Sequence, residues 1–352
     1  MDFPSNLEAL TVKFCIRTPM FLAGANQAKA EIHLPSIKGM MRYWFRALSE
    51  EHVYSRMQTE LFGLHSKNIG QSCVQLLLAD SRVRYQVIPN KDPKKEQNLV
   101  WKIPLFIPPR WKRAYLKENG TFTLQVFLKP LKNRTEIQKE KAWQAVIASL
   151  WLMSYVGGLG SQTRRGFGSL EIEEWEGTHD GINSLLKEIQ LPQKEAKNVE
   201  EYLNQWQKSF RKIRSWFPET KMGRQYTRLN DELLMFIDSK VSNSLIESWK
   251  RIGGLFNKVK FTENGCFSFG LPVKNRDDYE VQKGFNNRVA SPVWLRMGRL
   301  AAGQYFSQVT FFSVPYPKIK VKYKEIEPRE GWRLLQELLE KEKFLKWELG
   351  KE

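Results

Sequence analysis

The sequence has few of the residues from which metal sites and disulfide frameworks are built. It contains only three cysteines, Cys15, Cys73 and Cys266, which lie far apart, and only four histidines. No Cys-x-x-Cys pair is present, and no histidine has the spacing of a zinc ligand set. We therefore expect no metal, no cofactor, and thiols that stay buried and reduced.

Acidic residues and long apolar runs are also scarce. Asp and Glu number 38 against 56 for Lys and Arg, so the formal net charge is +18, and this excess predicts a polyanionic partner. The lack of an 18-residue apolar run and of a signal-like start predicts a cytoplasmic protein with no membrane partner. Twelve tryptophans, within an aromatic content of 12%, supply rings on which unpaired bases could stack.

The chain is organised around a glycine-rich loop, residues 157–168, which directly follows an apolar helical pattern. Its five glycines allow the backbone to approach an anion, and its two adjacent arginines are forked donors that suit phosphate oxygens. A P-loop is excluded because no Gly-Lys-Ser/Thr follows, and a dinucleotide fingerprint because the order runs from helix to strand. The candidate contacts to an extended polyanion are Gly157, Gly158, Gly160, Arg164, Arg165 and Gly166. The alternative interpretation is a tight turn with solvated arginines.

A second basic array lies on a helix that is predicted to begin after an N-cap at Ser36 and to end near Glu51. Lys38, Arg42 and Arg46 recur at every fourth residue, and like charges at this spacing destabilise a helix by about 0.2–0.5 kcal/mol per pair. An anion that lies along this stripe explains the arrangement better than a solvated face, which is the common alternative.

Hydrophobic periodicity in the first half predicts a β-α-β-β-α-β order, which is the ferredoxin-like arrangement of an α+β domain. The predicted elements are the strand Leu10–Ile16, the helix from Ser36, the strand Cys73–Ala79, a strand from Gly120, a helix from Thr135 to Tyr155 and a strand from Leu170. Residues 80–119 are then an insertion between the second and third strands. We place the domain boundary so that the domains span residues 1–176 and 177–352.

The second half predicts another α+β domain, whose strand order does not follow from the pattern. Its strand candidates are Cys266–Leu271, Val289–Met297 and Gln308–Val314. The segment Leu233–Ile237 fits either a helix or a strand. Lys318, Lys320, Lys322 and Lys324 alternate with other residues, which predicts a strand with one lysine face. That strand is either an edge protected against aggregation or a further basic surface.

Catalysis has a single candidate in this sequence. His33 lies five residues before Lys38, and a histidine and a lysine could act as general base and electrostatic stabiliser in metal-independent RNA cleavage. A histidine that ends a loop is more often structural. Three functions stay open from the residues alone: RNA binding without catalysis, an endoribonuclease that uses His33, and a scaffold whose charge meets acidic partner proteins.

Three parts of the chain resemble one protein family. Residues 21–25 and 34–48 are similar to the amino-terminal signature of the first subunit of the type III-B CRISPR Cmr complex. The loop at residues 157–168 resembles the glycine-rich loop of the RAMP superfamily, to which that subunit belongs. Residues 269–272 and 288–296 resemble the family's carboxy-terminal motifs. Together these segments extend over most of the chain.

The resemblance implies two ferredoxin-like domains in a cytoplasmic subunit that serves antiviral defence and has no nuclease activity. Its implied partners are other Cmr subunits, the guide RNA near its 3′ part, and the complementary target RNA that it helps to capture. Processing of guide RNA precursor is the endoribonuclease alternative. The basic residues that match the family motifs, and that would bind RNA, are Lys38, Arg42, Arg46, Arg164, Arg165, Arg288 and Arg296.

Overall fold

The structure is a computed structural model, and it describes most of the chain. The described residues are 8–49, 51–63, 71–88, 103, 105, 113–129, 139–218, 229, 232–262, 265–271, 279–282, 289–314, 316–321 and 324–349. Within them, two four-stranded antiparallel sheets form the centres of two domains. Cys15 and Cys73 are buried as predicted, and burial raises the pKa of the Cys15 thiol to about 11.

The first domain has the ferredoxin-like topology that the sequence predicts. Its elements are β1 (Ala9–Ile16), α1 (Leu34–Leu48), α2 (Glu51–Phe62), β2 (Val74–Arg82), β3 (Tyr85–Ile88), β4 (Arg113–Leu116), β5 (Thr121–Leu128), α3 (Lys139–Tyr155) and β6 (Leu170–Gly177). The sheet order is β2-β5-β1-β6, and every pair is antiparallel. Leu10, Val12 and Phe14 are fully buried, whereas Thr11 and Lys13 are half-buried, so the alternation of β1 reflects one covered face.

The second domain repeats this topology. After β6 come α4 (Asp180–Lys187), α5 (Pro192–Glu195), α6 (Val199–Trp216), β7 (Leu234–Ile237), α7 (Leu245–Lys260), β8 (Tyr279–Val281), β9 (Val293–Arg299), β10 (Tyr305–Phe311), β11 (Ile319–Val321), β12 (Lys324–Ile326), α8 (Arg329–Lys341) and β13 (Leu345–Glu348). The sheet order β13-β7-β10-β9 is again that of a β-α-β-β-α-β unit. The predicted class of two ferredoxin-like domains is therefore confirmed, and the undecided segment at residues 233–237 is a strand.

Helix α6 lies against both domains. Its Trp206 ring is 5.6 Å from Trp151 of α3 and 5.1 Å from Trp347 of β13, and its Tyr202 ring is 4.6 Å from Phe306 of β10. These aromatic contacts join the two halves into one hydrophobic core. A domain boundary between residues 176 and 177 remains a prediction, because the helices beyond it pack on the first domain as well. No helix in the described ranges has the length and apolar character needed to cross a bilayer.

Two local predictions are wrong in the second domain. Residues Gly265–Phe269 form a 3₁₀ helix instead of a strand, because Ser268 is anchored to α8: its hydroxyl donates to Pro328 O at 2.7 Å. The lysine-rich segment is a hairpin and not one strand, since Val321 of β11 pairs with Lys324 of β12. The lysines therefore do not share one continuous face; Lys318, for example, pairs with Glu325. Lys322 lies outside the described residues.

Candidate nucleic-acid interface

The glycine-rich loop joins the two domains. Strand β9 lies at the edge of the second sheet, and its outer backbone amides donate to the loop and to the start of β6. These bonds run from Leu295 N to Arg164 O (3.2 Å), from Met297 N to Ser169 Oγ (3.1 Å) and from Arg299 N to Glu171 Oε1 (3.0 Å). An edge strand otherwise exposes unpaired amides. The loop therefore seals this edge and fixes the position of one domain against the other.

The glycines of the loop are required by packing within the chain. A Cβ atom at Gly160, whose φ is +97°, would lie 2.5 Å from Phe21 O, and one at Gly168, with φ +65°, would lie 1.9 Å from Leu159 O. The closest approaches at the other loop glycines are 2.3 Å from Gly157 to the Trp44 ring, 2.8 Å from Gly158 to Gly168 O and 3.1 Å from Gly166 to the Trp249 ring. Close approach of the chain to itself explains these glycines, so substitutions here would report on folding and not on RNA contact.

The two arginines of the loop are largely buried but have no carboxylate partner within the described part of the chain. Arg164 Nη1 donates to Ser291 O at 2.6 Å, and the guanidinium lies 4.9 Å from the Trp294 ring centroid. Arg165 Nη1 donates to Leu105 O at 3.3 Å. Burial lowers the pKa of both guanidiniums. Desolvated charges without a counter-ion are unfavourable, so this pair is suited to bind an anion.

A pocket of about 480 Å³ opens between α1 and the glycine-rich loop. Helix α1 contributes Gly39 and Tyr43 to its wall, and Arg164 and Trp294 line it as well. Arg113 also lines it; burial lowers its pKa, and its guanidinium lies 5.3 Å from the ring centroid of Phe21. The pocket thus combines aromatic rings with two guanidiniums that have no carboxylate partner among the described residues.

Three polar groups in the pocket wall are buried without a hydrogen-bond partner among the described residues. These are the Trp294 indole N–H and the hydroxyls of Tyr43 and Ser161. Trp294 is only 3% exposed, and its ring packs 6.0 Å from that of Tyr43. Buried polar groups are nearly always satisfied in folded proteins. Their hydrogen-bonding capacity is therefore available to a ligand in the pocket.

The stripe on α1 lies beside the pocket and not in it. None of Lys38, Arg42 and Arg46 lines the pocket. Arg42 Nη1 donates to Gly63 O at 3.1 Å, and burial lowers the pKa of the Lys38 ammonium. Helix α1 also begins earlier than predicted: it starts at Leu34 and ends at Leu48. Contact between RNA and the stripe remains a prediction.

Arg296 does not join this site. Arg296 is 1% exposed, and its guanidinium bonds Ser154 O (2.7 Å), Leu170 O (3.0 Å) and the Tyr202 hydroxyl (3.2 Å). It also lies 3.7 Å from Glu171. The prediction that Arg296 contacts RNA is corrected, because every donor nitrogen of its side chain is used between the two domains. Arg288 lies outside the described residues.

His33 has a structural explanation. It occupies the N-cap position of α1, where its Nδ1 lies 2.9 Å from the Ser36 hydroxyl. Ser36 was predicted to be the cap, but it lies within the first helical turn because Pro35 starts the helix earlier. Among the described residues, no three His, Cys, Asp or Glu side chains are grouped so that they could hold a metal ion.

Sequence reasoning missed Arg113, Tyr43 and Trp294 as site residues. Tyr43 and Trp294 stand inside the segments that carry the family resemblance, and an aromatic ring within each motif was the available signal. Arg113 lies within the insertion at residues 80–119, and no local pattern singles it out. The pocket is formed by segments that lie far apart in sequence, so only the fold brings these residues together.

Comparisons with known proteins agree with this architecture. Residues 13–171 match the model of the RAMP superfamily. The CRISPR system Cmr subunit Cmr1-1 of Pyrococcus furiosus is 25% identical over 319 residues, covering 83% of this chain and 84% of that protein. The crystal structure of Cmr1 from Pyrococcus furiosus in its apo form is similar with a TM-score of 0.61 at 16% identity, covering 96% of this chain and 98% of the other.

A further similar fold comes from an assembled particle. One chain of the cryo-EM structure of the Type III-B Cmr-beta bound to cognate target RNA has a TM-score of 0.63 at 15% identity, covering 96% of this chain and 100% of that one. The superfamily match begins in β1 and ends in β6, so it includes α1, the glycine-rich loop and most of the pocket wall. Residues 13–171 therefore match the RAMP superfamily, and the chain as a whole is similar in sequence and fold to Cmr1 subunits.

Proposed function

We propose that this chain is an RNA-binding subunit of a type III-B Cmr effector complex and has no catalytic activity of its own. The observation that carries the proposal is the pair Arg164 and Arg165, which are largely buried and lack a carboxylate partner among the described residues. A guanidinium pair of this kind suits the non-bridging oxygens of phosphates, which accept forked hydrogen bonds. The net charge of +18 also favours binding to the phosphate backbone of RNA.

The bound RNA is single-stranded and lies at the junction of the two domains. Aromatic rings beside cationic side chains are typical of sites for unpaired nucleotides, and such rings line the pocket. The face of the first sheet away from α1 and α3 is a poorer candidate. Its half-buried and exposed positions include Thr11, Thr123 and Gln125, and Lys13 there is already paired with Glu173 and Glu174.

The partners follow from the same proposal. The ligands are the guide RNA near its 3′ part and the complementary target RNA, and the neighbours are other Cmr subunits in the cytoplasm. One structural relative belongs to a Cmr particle bound to cognate target RNA, which supports this assignment. Which of the two RNA strands occupies the pocket is decided by cross-linking each strand separately within the assembled particle.

The salt dependence of RNA binding tests the proposal and the role of the α1 stripe together. We expect the wild-type chain to bind a labelled single-stranded RNA with an affinity that falls steeply as salt rises. Replacing Lys38, Arg42 and Arg46 with Gln should reduce the slope of log K against log salt by up to about 2, since each phosphate contact contributes about 0.7. An unchanged slope means that the stripe is only a solvated face. No RNA binding by the wild type would instead favour the protein scaffold.

The chain should not cleave RNA. We expect labelled guide precursor and target RNA to remain intact when they are incubated with the purified protein, with or without EDTA. The reason is that His33 is engaged with Ser36 at the cap of α1, and no second general acid or base is seen to contact it in the described part of the chain. Specific products that disappear with His33→Ala would contradict this and favour the endoribonuclease.

A further inference from the structure

Helix α7 of the second domain has an exposed face that is distinct from the RNA pocket. This face consists of Glu247, Lys250, Gly254, Lys258 and the C-cap residue Phe261, all of which are exposed. They recur at intervals of three and four residues, so they lie on one side of the helix. The other side of α7 is buried in the core of the second domain. We infer that this face binds an acidic segment of a neighbouring protein. The inference rests on the proposed membership of a multi-subunit particle and specifies one surface that holds the chain there.

Gly254 allows a partner to approach the axis of α7 closely. It stands in the interior of the helix, where glycine is less favourable than alanine. A Cβ atom built on Gly254 meets no atom within 4 Å, so packing within the chain does not require a glycine here. The missing side chain leaves room for an external group to contact the helix backbone. Close approach of a partner therefore explains a glycine that the chain itself does not need.

Phe261 provides an apolar anchor at one end of this face. Its side chain is 80% exposed, which is the largest exposed fraction among the large apolar side chains that the structure describes. Aromatic residues are enriched in protein interfaces, where an anchor of this kind fills a pocket of the partner. Transfer of the Phe261 ring from water to such a pocket would stabilise a complex through the hydrophobic effect.

The charge of this face selects an acidic partner. Lys250 and Lys258 have no ion-pair partner among the described residues, whereas Arg251 pairs with Asp238 at 3.0 Å. Glu247 is the single acidic residue of α7. The two lysines lie eight residues apart, or about 12 Å along the helix axis. Carboxylates at a similar spacing on the partner would complement both ammonium groups, and such complementarity provides specificity.

A protein fits this face better than RNA does. Both free cations are lysines, which lack the planar fork of donors that suits phosphate oxygens. Phe261 is the single aromatic residue of the face, whereas sites for single-stranded RNA stack successive bases on several rings. One aromatic anchor, a close-approach glycine and two flanking charges are instead typical of contact with a protein segment.

Two matched pairs of variants test the inference in the particle, which is assembled by co-expression and purified through another subunit. Lys250→Glu with Lys258→Glu should reduce retention of this chain at least tenfold. The control, Lys187→Glu with Lys208→Glu, changes the net charge equally on exposed parts of α4 and α6, and it should be retained like the wild type. Both double variants should keep the wild-type melting temperature, because exposed charges contribute little to stability.

The second pair tests close approach. Gly254→Leu should melt at or above the wild-type temperature and yet be retained at least tenfold less. Its control is Gly181→Leu on α4, where a Cβ atom likewise meets no atom within 4 Å, and this variant should be retained like the wild type. Loss of assembly in a variant that folds normally separates loss of the contact from loss of the fold.

Carbodiimide coupling identifies the partner. This reagent joins a lysine amine directly to a carboxylate in contact with it, and mass spectrometry of the wild-type particle should find Lys250 and Lys258 joined to Asp or Glu of one other subunit. Wild-type retention of the Lys250 and Lys258 double variant, or no such product from either lysine, would overturn the inference. If that variant instead loses more RNA affinity as an isolated chain than its control does, the face binds RNA and the protein assignment is wrong. Failure of the wild type to join the particle would reject the proposed function itself.

Discussion

Replacing Arg296 with methionine should lower the free energy of unfolding by about 3–5 kcal/mol, the range for breaking a buried ion pair. The guanidinium bonds two backbone carbonyls of the first domain and the hydroxyl of Tyr202, and it faces the fully buried Glu171. Methionine fills a similar volume but leaves these acceptors unsatisfied, and each buried orphan costs about 1–3 kcal/mol. Glu171 keeps Arg17 as a partner, so complete unfolding is not expected.

Arg299→Met is the matched control, on the same strand. The Arg299 side chain donates to Gly303 O at 2.9 Å and lies 5.4 Å from the Tyr305 ring centroid, whereas its bond to Glu171 comes from the backbone and survives substitution. We expect a loss of about 1 kcal/mol or less. Denaturant unfolding of the full chain measures both variants. Unchanged stability of Arg296→Met together with reduced RNA affinity would restore the RNA contact that the sequence predicted.

Replacing Arg164 and Arg165 with glutamine should reduce the affinity for single-stranded RNA by about 100-fold or more at low salt. Two hydrogen-bonded charge contacts at about 1.5–3 kcal/mol each would be lost. The salt slope should fall by about 1.4, which is twice the contribution of one phosphate. Stability should change by less than about 2 kcal/mol, because the lost contact of Arg164 with Trp294 is offset by removal of a buried charge without a counter-ion.

The double substitution to lysine distinguishes charge from geometry. Lysine retains the positive charge but not the planar fork of donors, so we expect the salt slope to stay near the wild-type value while affinity falls by a smaller factor. Fluorescence anisotropy across a salt series measures all three proteins. If the double glutamine variant binds RNA with wild-type affinity but loses much of its stability, the two arginines contribute to the fold alone.

Much of the fold could be predicted from the sequence because it depends on local periodicity. The alternation around Val12 in β1 indicated a half-covered strand, and the order of helices and strands indicated a ferredoxin-like domain. The prediction for the lysine-rich segment was wrong because the alternation of lysines continues from one strand into the next. The two strands form a hairpin in which Val321 pairs with Lys324. The sequence between Val321 and Lys324 contains no glycine, asparagine or proline, so it gives no turn signal.

The site residues were harder to predict because residue type does not indicate burial. Arg164 and Arg296 both stand in family-like segments, yet one lines a pocket and the other is enclosed between the domains. The difference depends on Glu171 and Ser154, more than a hundred residues before Arg296 in sequence. The glycines present the same difficulty. A glycine at position 160 would be needed for close approach to a phosphate, and it is equally needed for the close approach to Phe21 O that the structure shows. The sequence does not distinguish the two reasons.

Photo-cross-linking with RNA that contains 4-thiouridine tests most directly whether RNA lies at the junction of the two domains. The full chain, and then the assembled particle, would be irradiated with the RNA bound, and the modified peptides identified by mass spectrometry. We expect cross-links in the segments that form the pocket wall, around Tyr43, Ser161 and Trp294. Cross-links confined to β1 and β5, on the sheet face that carries Lys13 and Gln125, would contradict an RNA site between the domains.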